Sequence, residues 1–408
     1  MLEGSEGASR FSAAGPALGY LAQVDYALWA VLERMDVQES FSVSIETLDD
    51  IVFHSADSGS ATELWQSKHS IDGTRSLSDA SSDLWKTLHN WIVEPSSAGV
   101  RLVLLATAKA GPAAHNLRVG PDRDVSGAVA ALERTARESE SEANKAYYEA
   151  FLNRSPEERR ALLDRVDVID EIAGVAAIGD DLRRAVRKSV IPRRRAALVE
   201  RLRGWWHVRA IAHLDAVARG RADRITAAEV EEQLLAIADT LRDENLPIDV
   251  LDFPRPSEQE VSQDDRIFVA QLRLVAMGSQ RMRKCIYDHN RAFAQRSLWQ
   301  RDRLLEVGEL GRYDAELIEA WERFFVPLSD EPGEEVTEEQ LKVAALKSFG
   351  ELDQSDLAPI RRDVHSGFIA RGSLHVIADR LEIGWHPQWL EHLKHRLAEA
   401  SDAGRDAA

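Results

Sequence analysis

The chain of 408 residues contains a single cysteine, Cys285. One thiol excludes an intrachain disulfide framework and any zinc site built from clustered cysteines, and it makes a reducing cytosol the expected compartment. No run of about 18 apolar residues occurs, so no membrane-spanning helix is expected. The opening MLEGSEGASRFSAAG lacks a basic flank leading into an apolar stretch, so no secretory signal is expected either. Glycine-rich phosphate loops are missing too. GELGRY, at residues 308–313, has neither the Lys-Ser/Thr pair of a P-loop nor a strand before it, so the chain is not expected to be an NTPase itself. Positive charge is in deficit, with 51 Lys and Arg against 69 Asp and Glu and a formal charge of -18. That balance argues against nucleic-acid binding driven by the charge of the whole protein, and leaves room only for local basic patches. No internal repeat or long low-complexity segment is found.

What is present is a globular composition, 44% hydrophobic and 29% charged, long enough at roughly 150 residues per domain for two or three domains. Leu18, Leu21, Leu28, Val31, Leu32 and Met35 approach the spacing of one helix face. The pattern then turns to short strands: FSVSIE (41–46), DIVFH (50–54) and LWQSKH (64–69), the last two joined by a loop over 55–62 with Gly59 in the turn. An amphipathic helix carrying Leu84, Leu88, Trp91 and Ile92 follows and ends at Pro95. VRLVLLA (100–106) is a continuous apolar run, as a strand buried on both faces would be, and strand, helix, strand implies a right-handed parallel crossover. The expected order is α, β, β, β, α, β.

Residues 109–127 lose periodicity and gather Gly and Pro, so a domain boundary is expected there. Beyond it the chain reads as helices. Val166, Ile169, Ile172 and Val175/Ala176 form one stripe; Val230, Leu234, Ile237 and Leu241 form another, opened by Thr226 and Glu229 as a capping box. A second linker covers 251–265, and a frayed tail is expected from Ser401. Three domains follow: 10–112 α/β, 128–248 all-α and 264–398 all-α.

The chemistry-bearing constellation lies among the three strands. Residues two apart on a strand share a face, so Gln66 and Lys68 project together, with Asp50 at the start of the preceding strand and Glu46 and Asp49 in the turn before it. A carboxylate, a carboxamide oxygen and an ammonium at one sheet edge suit a hard divalent cation, Mg²⁺ or Mn²⁺. Asp50 is then the principal ligand, Gln66 a neutral oxygen ligand and Glu46 a further one. Lys68 steadies the attacking hydroxide and the charged transition state of phosphodiester hydrolysis. The same residue pattern also arises by chance on solvated sheet edges.

At these residues the segment resembles the PD-(D/E)xK nuclease superfamily, in its Gln-x-Lys branch. GYLAQ (19–23), SIETLDDIVF (44–53), LWQSKH (64–69) and DLWKTLHNW (83–91) are similar to the dsDNA nuclease domain of CD-NTase-associated bacterial defence effectors. The resemblance implies a restriction-endonuclease-like α/β fold, catalytic and metal roles for Asp50, Gln66, Lys68 and Glu46, and a supporting position for Gln23. Three departures stand: no Pro precedes the acidic residue, Asp49 and Asp50 compete for the main role, and Gln replaces the commoner acid, which weakens metal binding.

Arg183 to Arg203 holds nine Lys or Arg against one Glu. Arg183, Arg184, Arg187, Lys188, Arg193, Arg194 and Arg195 form either a phosphate-binding stripe for duplex DNA or a solvated face paired with Asp180 and Asp181. Trp205 and Trp206 after it are expected to pack. His365, His375, His386, His392 and His395 lack a carboxylate or Cys at zinc spacing, so no zinc site is expected. Cys285, despite Arg283 and Lys284 beside it, reads as a buried small residue.

The segments YDHNRAFAQRSLWQRDRLLEVGELGRY (287–313), LIEAWERFF (317–325) and GFIARGSLHVIADRLEIGWHPQW (367–389) resemble the helical C-terminal domains of bacterial ABC-three-component systems. That resemblance implies an effector working with a small middle component and a separate ABC-type ATPase. Physically, Trp299, Leu304, Trp321, Phe324 and Phe325 furnish a helical core that the Trp385-His386-Pro387 turn closes. The leading expectation is a Mg²⁺-dependent endonuclease of an antiviral defence system, acting on double-stranded DNA and restrained by its helical regions. A catalytically inactive DNA-binding scaffold is the alternative, and a nuclease activated by a nucleotide second messenger ranks last, because no sensor signature is present. Paired cuts on duplex DNA would favour a homodimer.

Overall fold

The computed structural model describes residues 14–68, 76–174, 177–330 and 336–393. Val175, Ala176, His69, His395 and the tail from Ser401 lie outside them. The chain divides into two compact units, Met1–Ala238 and Asp239–Ala408.

The first unit runs α1 (Ala14–Met35), β1 (Phe41–Ile45), β2 (Ile51–Ser55), β3 (Ala61–Lys68), α2 (Ser82–Val93), β4 (Arg101–Ala106), α3 (Pro112–His115), α4 (Val125–Glu138), α5 (Lys145–Leu152), α6 (Pro156–Asp164), β5 (Val166–Ile169), α7 (Ile178–Ala185), α8 (Arg195–Ala218), β6 (Ile225–Thr226) and α9 (Ala227–Thr240). The first six elements follow the expected order. The six strands form a mixed sheet in the order β5-β4-β3-β2-β1-β6. β2 and β3 are an antiparallel hairpin whose turn uses Gly59 at φ +65°, a left-handed conformation that suits glycine. β3 and β4 are parallel, as the intervening helix requires.

Strand alternation builds the core. Val52, Leu64, Leu102, Leu104, Val166 and Val168 share one apolar cluster with Trp85 and Leu88 of α2, Leu132 of α4, Phe151 of α5 and Leu163 of α6. On the helical side, Trp206 of α8 is fully buried and donates its indole N–H to the Val24 carbonyl of α1 at 2.7 Å, in keeping with its expected packing role.

Several expectations are corrected. Val166–Ile169 is not a helical stripe but strand β5, parallel to β4, and β6 adds a second strand from the segment expected to be all-α. Short apolar runs read equally as helix or strand, and pairing with an existing sheet edge decides between them. The sheet continues across residues 109–127, since β5 pairs with β4. Polar side chains order that loop. Arg123 donates to Asp167 and to the carbonyls of Leu117, Leu163, Asp164 and Val166, and Asp170 accepts the Ala110 N–H at 2.6 Å. At α9 the Thr226 hydroxyl accepts the Glu229 N–H at 3.1 Å, but the Glu229 carboxylate turns to Arg209 at 2.6 Å, so only half of the capping box forms.

The second unit is helical: α10 (Glu258–Gln263), α11 (Ile267–Leu274), α12 (Ser279–Arg301), α13 (Glu309–Asp330), α14 (Glu338–Gln354) and α15 (Gly367–Asp379). Trp299, Leu304 and Phe325 are buried, and Trp385 packs edge-on against Phe325 and Phe349, so the Trp385 turn does close this core. Phe324 and Trp321 are half-buried. No helix among the described residues is long and apolar enough to cross a membrane.

Candidate functional site

The β1–β2 turn is closed by the Glu46 N–H donating to the Asp50 carbonyl at 3.0 Å, with Glu46 itself at φ +54°. A left-handed backbone is costly for a residue with a Cβ and marks a turn held by its surroundings. The β2–β3 register places Ile51 opposite Trp65, so the next residues outward, Asp50 and Gln66, stand side by side at the carboxyl end of β3. Gln66 Nε2 donates to Asp50 Oδ1 at 2.9 Å. The other oxygen, Oδ2, accepts the Ser67 backbone N–H at 2.7 Å and the Ser67 hydroxyl at 2.9 Å. Gln66 is buried, and its Oε1 accepts a long 3.4 Å hydrogen bond from Asn90 of α2.

Asp49 faces elsewhere. Its Oδ2 accepts the Trp91 indole N–H at 2.9 Å and its Oδ1 the Asp50 N–H at 3.0 Å. Burial pushes its carboxyl up to about 6, the Asp50 charge adding to the shift, although both hydrogen bonds and Lys68 oppose it. The Glu46 carboxyl is raised as well, by burial first and then by the Asp50 charge. Burial holds the Lys68 ammonium below its ordinary value, against the pull of Asp50, Asp83 and Asp49. Asp50 and Gln66 are therefore in direct contact, Asp49 joins them through the Asp50 backbone N–H, and Glu46 and Lys68 are coupled to Asp50 through charge. Gln23 is half-buried on α1, and among the described residues no hydrogen bond joins it to the cluster. One turn away Tyr20 does reach it: its hydroxyl is raised by burial and by the Glu46 charge.

Two carboxylates and a carboxamide make an all-oxygen donor set. Such a set fits a hard divalent cation of the Mg²⁺ or Mn²⁺ kind rather than a thiophilic metal. Glu46, Asp50 and Gln66 are the residues that would hold it. Ser67, Asn90 and Trp91, which orient these groups, are not identifiable from strand alternation alone. Ser67 should face away from Gln66, yet it reaches Asp50 because that carboxylate lies beyond the end of the β2 ladder and meets the β3 backbone. Asn90 and Trp91 stand inside the DLWKTLHNW string, which is the signal that could have found them.

The basic stripe is extensively paired. Arg183 and Arg184 bridge to Asp180 and Asp181, Lys188 lies 3.2 Å from Asp36, and Arg203 binds the buried Asp25 at 2.5 Å. Arg195 donates to the Arg187 carbonyl at 3.1 Å, and Arg194 is buried. Arg187 and Arg193 have exposed side chains. Cys285 is buried and its thiol is pushed up to about 12 by that burial, the inert state expected of a packed thiol.

The helical second unit carries the decisive comparison. Residues 268–393 match the model of C-terminal domain 7 of the ABC-three component (ABC-3C) systems. The matched segment runs from α11 through α15 to the Trp385 turn and α-helical residues beyond it. Among solved structures, the chain is similar to the Cap4 SAVED/CARF-domain containing receptor of Moraxella osloensis, at 13% identity and TM-score 0.36 over 64% of this chain and 60% of that one. It is also similar to the Acinetobacter baumannii Cap4 SAVED/CARF-domain containing receptor with the cyclic trinucleotide 3'3'3'-cAAA, at 12% identity and TM-score 0.33 over 63% and 57%. The chain thus spans less than two thirds of either receptor. A search of curated proteins gives no match.

Proposed function

We propose that this chain is the metal-dependent endonuclease effector of an ABC-three-component antiviral defence system, hydrolysing double-stranded DNA at the edge formed by Glu46, Asp50, Gln66 and Lys68. The observation that carries the reading is the 2.9 Å bond from Gln66 to Asp50, with Lys68 two residues on in the same strand. Held by Asp50, Glu46 and the Gln66 oxygen, Mg²⁺ would supply Lewis acidity, lowering the pKa of water and offsetting phosphate charge. Asp50 is kept in place by Ser67, and Asn90 keeps Gln66 against it. Lys68, protonated and partly shielded from solvent, places its charge where negative charge gathers on the phosphoryl oxygens. The match to C-terminal domain 7 supports docking of that unit onto a small middle component and an ABC-type ATPase from the same operon.

The test is plasmid and linear duplex cleavage by the full chain, with and without those partners, in Mg²⁺ or Mn²⁺. Cleavage abolished in Asp50→Asn and Lys68→Ala supports the reading. A folded wild-type chain that cuts nothing with its partners present, yet still binds duplex, leaves a DNA-binding scaffold instead.

A further inference from the structure

His386 and His392 lack a carboxylate partner in the sequence around them, but the fold supplies one from α14. The Thr337 hydroxyl accepts the Gln340 N–H at 3.4 Å, and the Gln340 side chain accepts the Thr337 N–H in return at 2.8 Å. This capping box fixes Glu338 in the first helical turn. Trp385, wedged against Phe325 and Phe349, anchors the other side and leaves His386 fully buried. Glu338 Oε1 lies 3.6 Å from His386 Nε2 and 3.4 Å from His392 Nε2, and one ligand atom from each of the three lies within 4.8 Å of the others. Neighbouring ligand atoms around a tetrahedral zinc stand roughly 3.3 Å apart, given Zn–N and Zn–O bonds of about 2.0–2.2 Å. The two Glu338 distances already lie close to that spacing, and the two imidazoles, within 4.8 Å of each other, would close towards it on binding.

We propose that Glu338, His386 and His392 bind a divalent transition-metal ion of the zinc class, clamping the start of α14 to the segment that follows α15. A second observation points the same way. His386 Nε2 is buried without a hydrogen-bond partner, and it is aimed at Glu338, a state that native proteins rarely leave uncompensated. Two imidazoles and one carboxylate are ligands that zinc takes, with a fourth position left for water. They differ in kind from the all-oxygen set at Asp50. Two local interactions change on binding. The Gln388 N–H donates to His386 Nδ1 at 3.1 Å, so neutral His386 carries its proton on Nε2; metal at Nε2 shifts that proton to Nδ1 and breaks this one hydrogen bond. Lys342, 3.9 Å from Glu338 Oε1 one turn along the helix, is displaced from the carboxylate.

The experiment is a calorimetric Zn²⁺ titration of the full chain carrying Asp50→Asn, so that the oxygen site does not contribute, repeated by absorption with Co²⁺. One equivalent should bind, raise the melting temperature and give the visible bands of four-coordinate Co²⁺. His386→Asn can unfold its buried surroundings, so the deciding variants are at the exposed Glu338 and at His392. Glu338→Gln and His392→Asn should each weaken Zn²⁺ binding by at least about tenfold, whereas Lys342→Gln should tighten it by removing a competing cation. No saturable binding up to about 100 µM Zn²⁺, or binding indifferent to both ligand variants, overturns the proposal. Neither outcome bears on DNA cleavage.

Discussion

Asp50 and Gln66 are joined across the β2–β3 pair by a 2.9 Å hydrogen bond, and the second Asp50 oxygen is taken by the backbone and hydroxyl of Ser67. Among the described residues the carboxylate is held by neutral donors, with no charged partner bonded to it. Removing it has two separable effects. Asp50→Ala leaves the buried Gln66 amide and the Ser67 N–H without their acceptor and should cost about 1–3 kcal/mol of stability. Asp50→Asn keeps one of the two acceptor oxygens and should therefore lose less stability than Asp50→Ala, yet reduce Mg²⁺-dependent cleavage by about a hundredfold or more. Denaturant unfolding beside a cleavage assay separates the two.

Asp49 should make stability depend on pH. Its carboxyl titrates near 6 in the folded chain against an ordinary 3.8, so the folded state holds a proton that the unfolded state releases. Stability therefore falls as pH rises through that interval. Asp49→Asn removes the ionisation penalty but can accept from only one of the Trp91 and Asp50 N–H groups, so its effect on stability should be more favourable at pH 7 than at pH 3.5 by about 1–3 kcal/mol. Urea unfolding at the two pH values checks this, and an equal effect at both would refute it.

In the proposed reaction Lys68 would act in its protonated form, and burial lowers its pKa below 10.5. Cleavage should decline as pH rises through that lowered value. Lys68→Arg stays charged throughout and should abolish the alkaline limb of the kcat/KM profile while running slower at every pH.

For the basic stripe, the structure redirects the choice of residues. Arg194 is buried, so reversing it would disturb packing rather than DNA binding. Arg187, Lys188 and Arg193 are exposed, and changing all three to Glu should reduce the salt slope of duplex binding by about 0.9 for each phosphate no longer neutralised. An unchanged slope assigns the stripe to intramolecular pairing.

In the second unit, Gly372 of α15 faces α12 so closely that a Cβ would overlap the Asp288 carbonyl and the Ala292 side chain. Gly372→Ala should destabilise this unit by about 2–3 kcal/mol through overpacking, readable as an earlier melting transition.

Much of the first unit is legible in the sequence because alternation and helical period are local. The runs at 41–46, 50–54 and 100–106, and the helix carrying Trp91, all stand where their patterns put them. β5 escapes such a reading since four residues, Val-Asp-Val-Ile, are too few to carry a period that separates helix from strand. The loop at 109–127 looks like a linker because its order comes from Arg123 and Asp170, whose partners are distant in sequence.

By itself, the sequence determined the element order around the site and the placing of Gln66 with Lys68 on one strand. These follow from residue type and short-range spacing. The tertiary structure alone decided that Asp50 rather than Asp49 meets Gln66, that most of the basic stripe is paired, and that Glu338 reaches His386 and His392. Each depends on which surfaces pack together, and packing brings together residues whose separation along the chain carries no periodic signal.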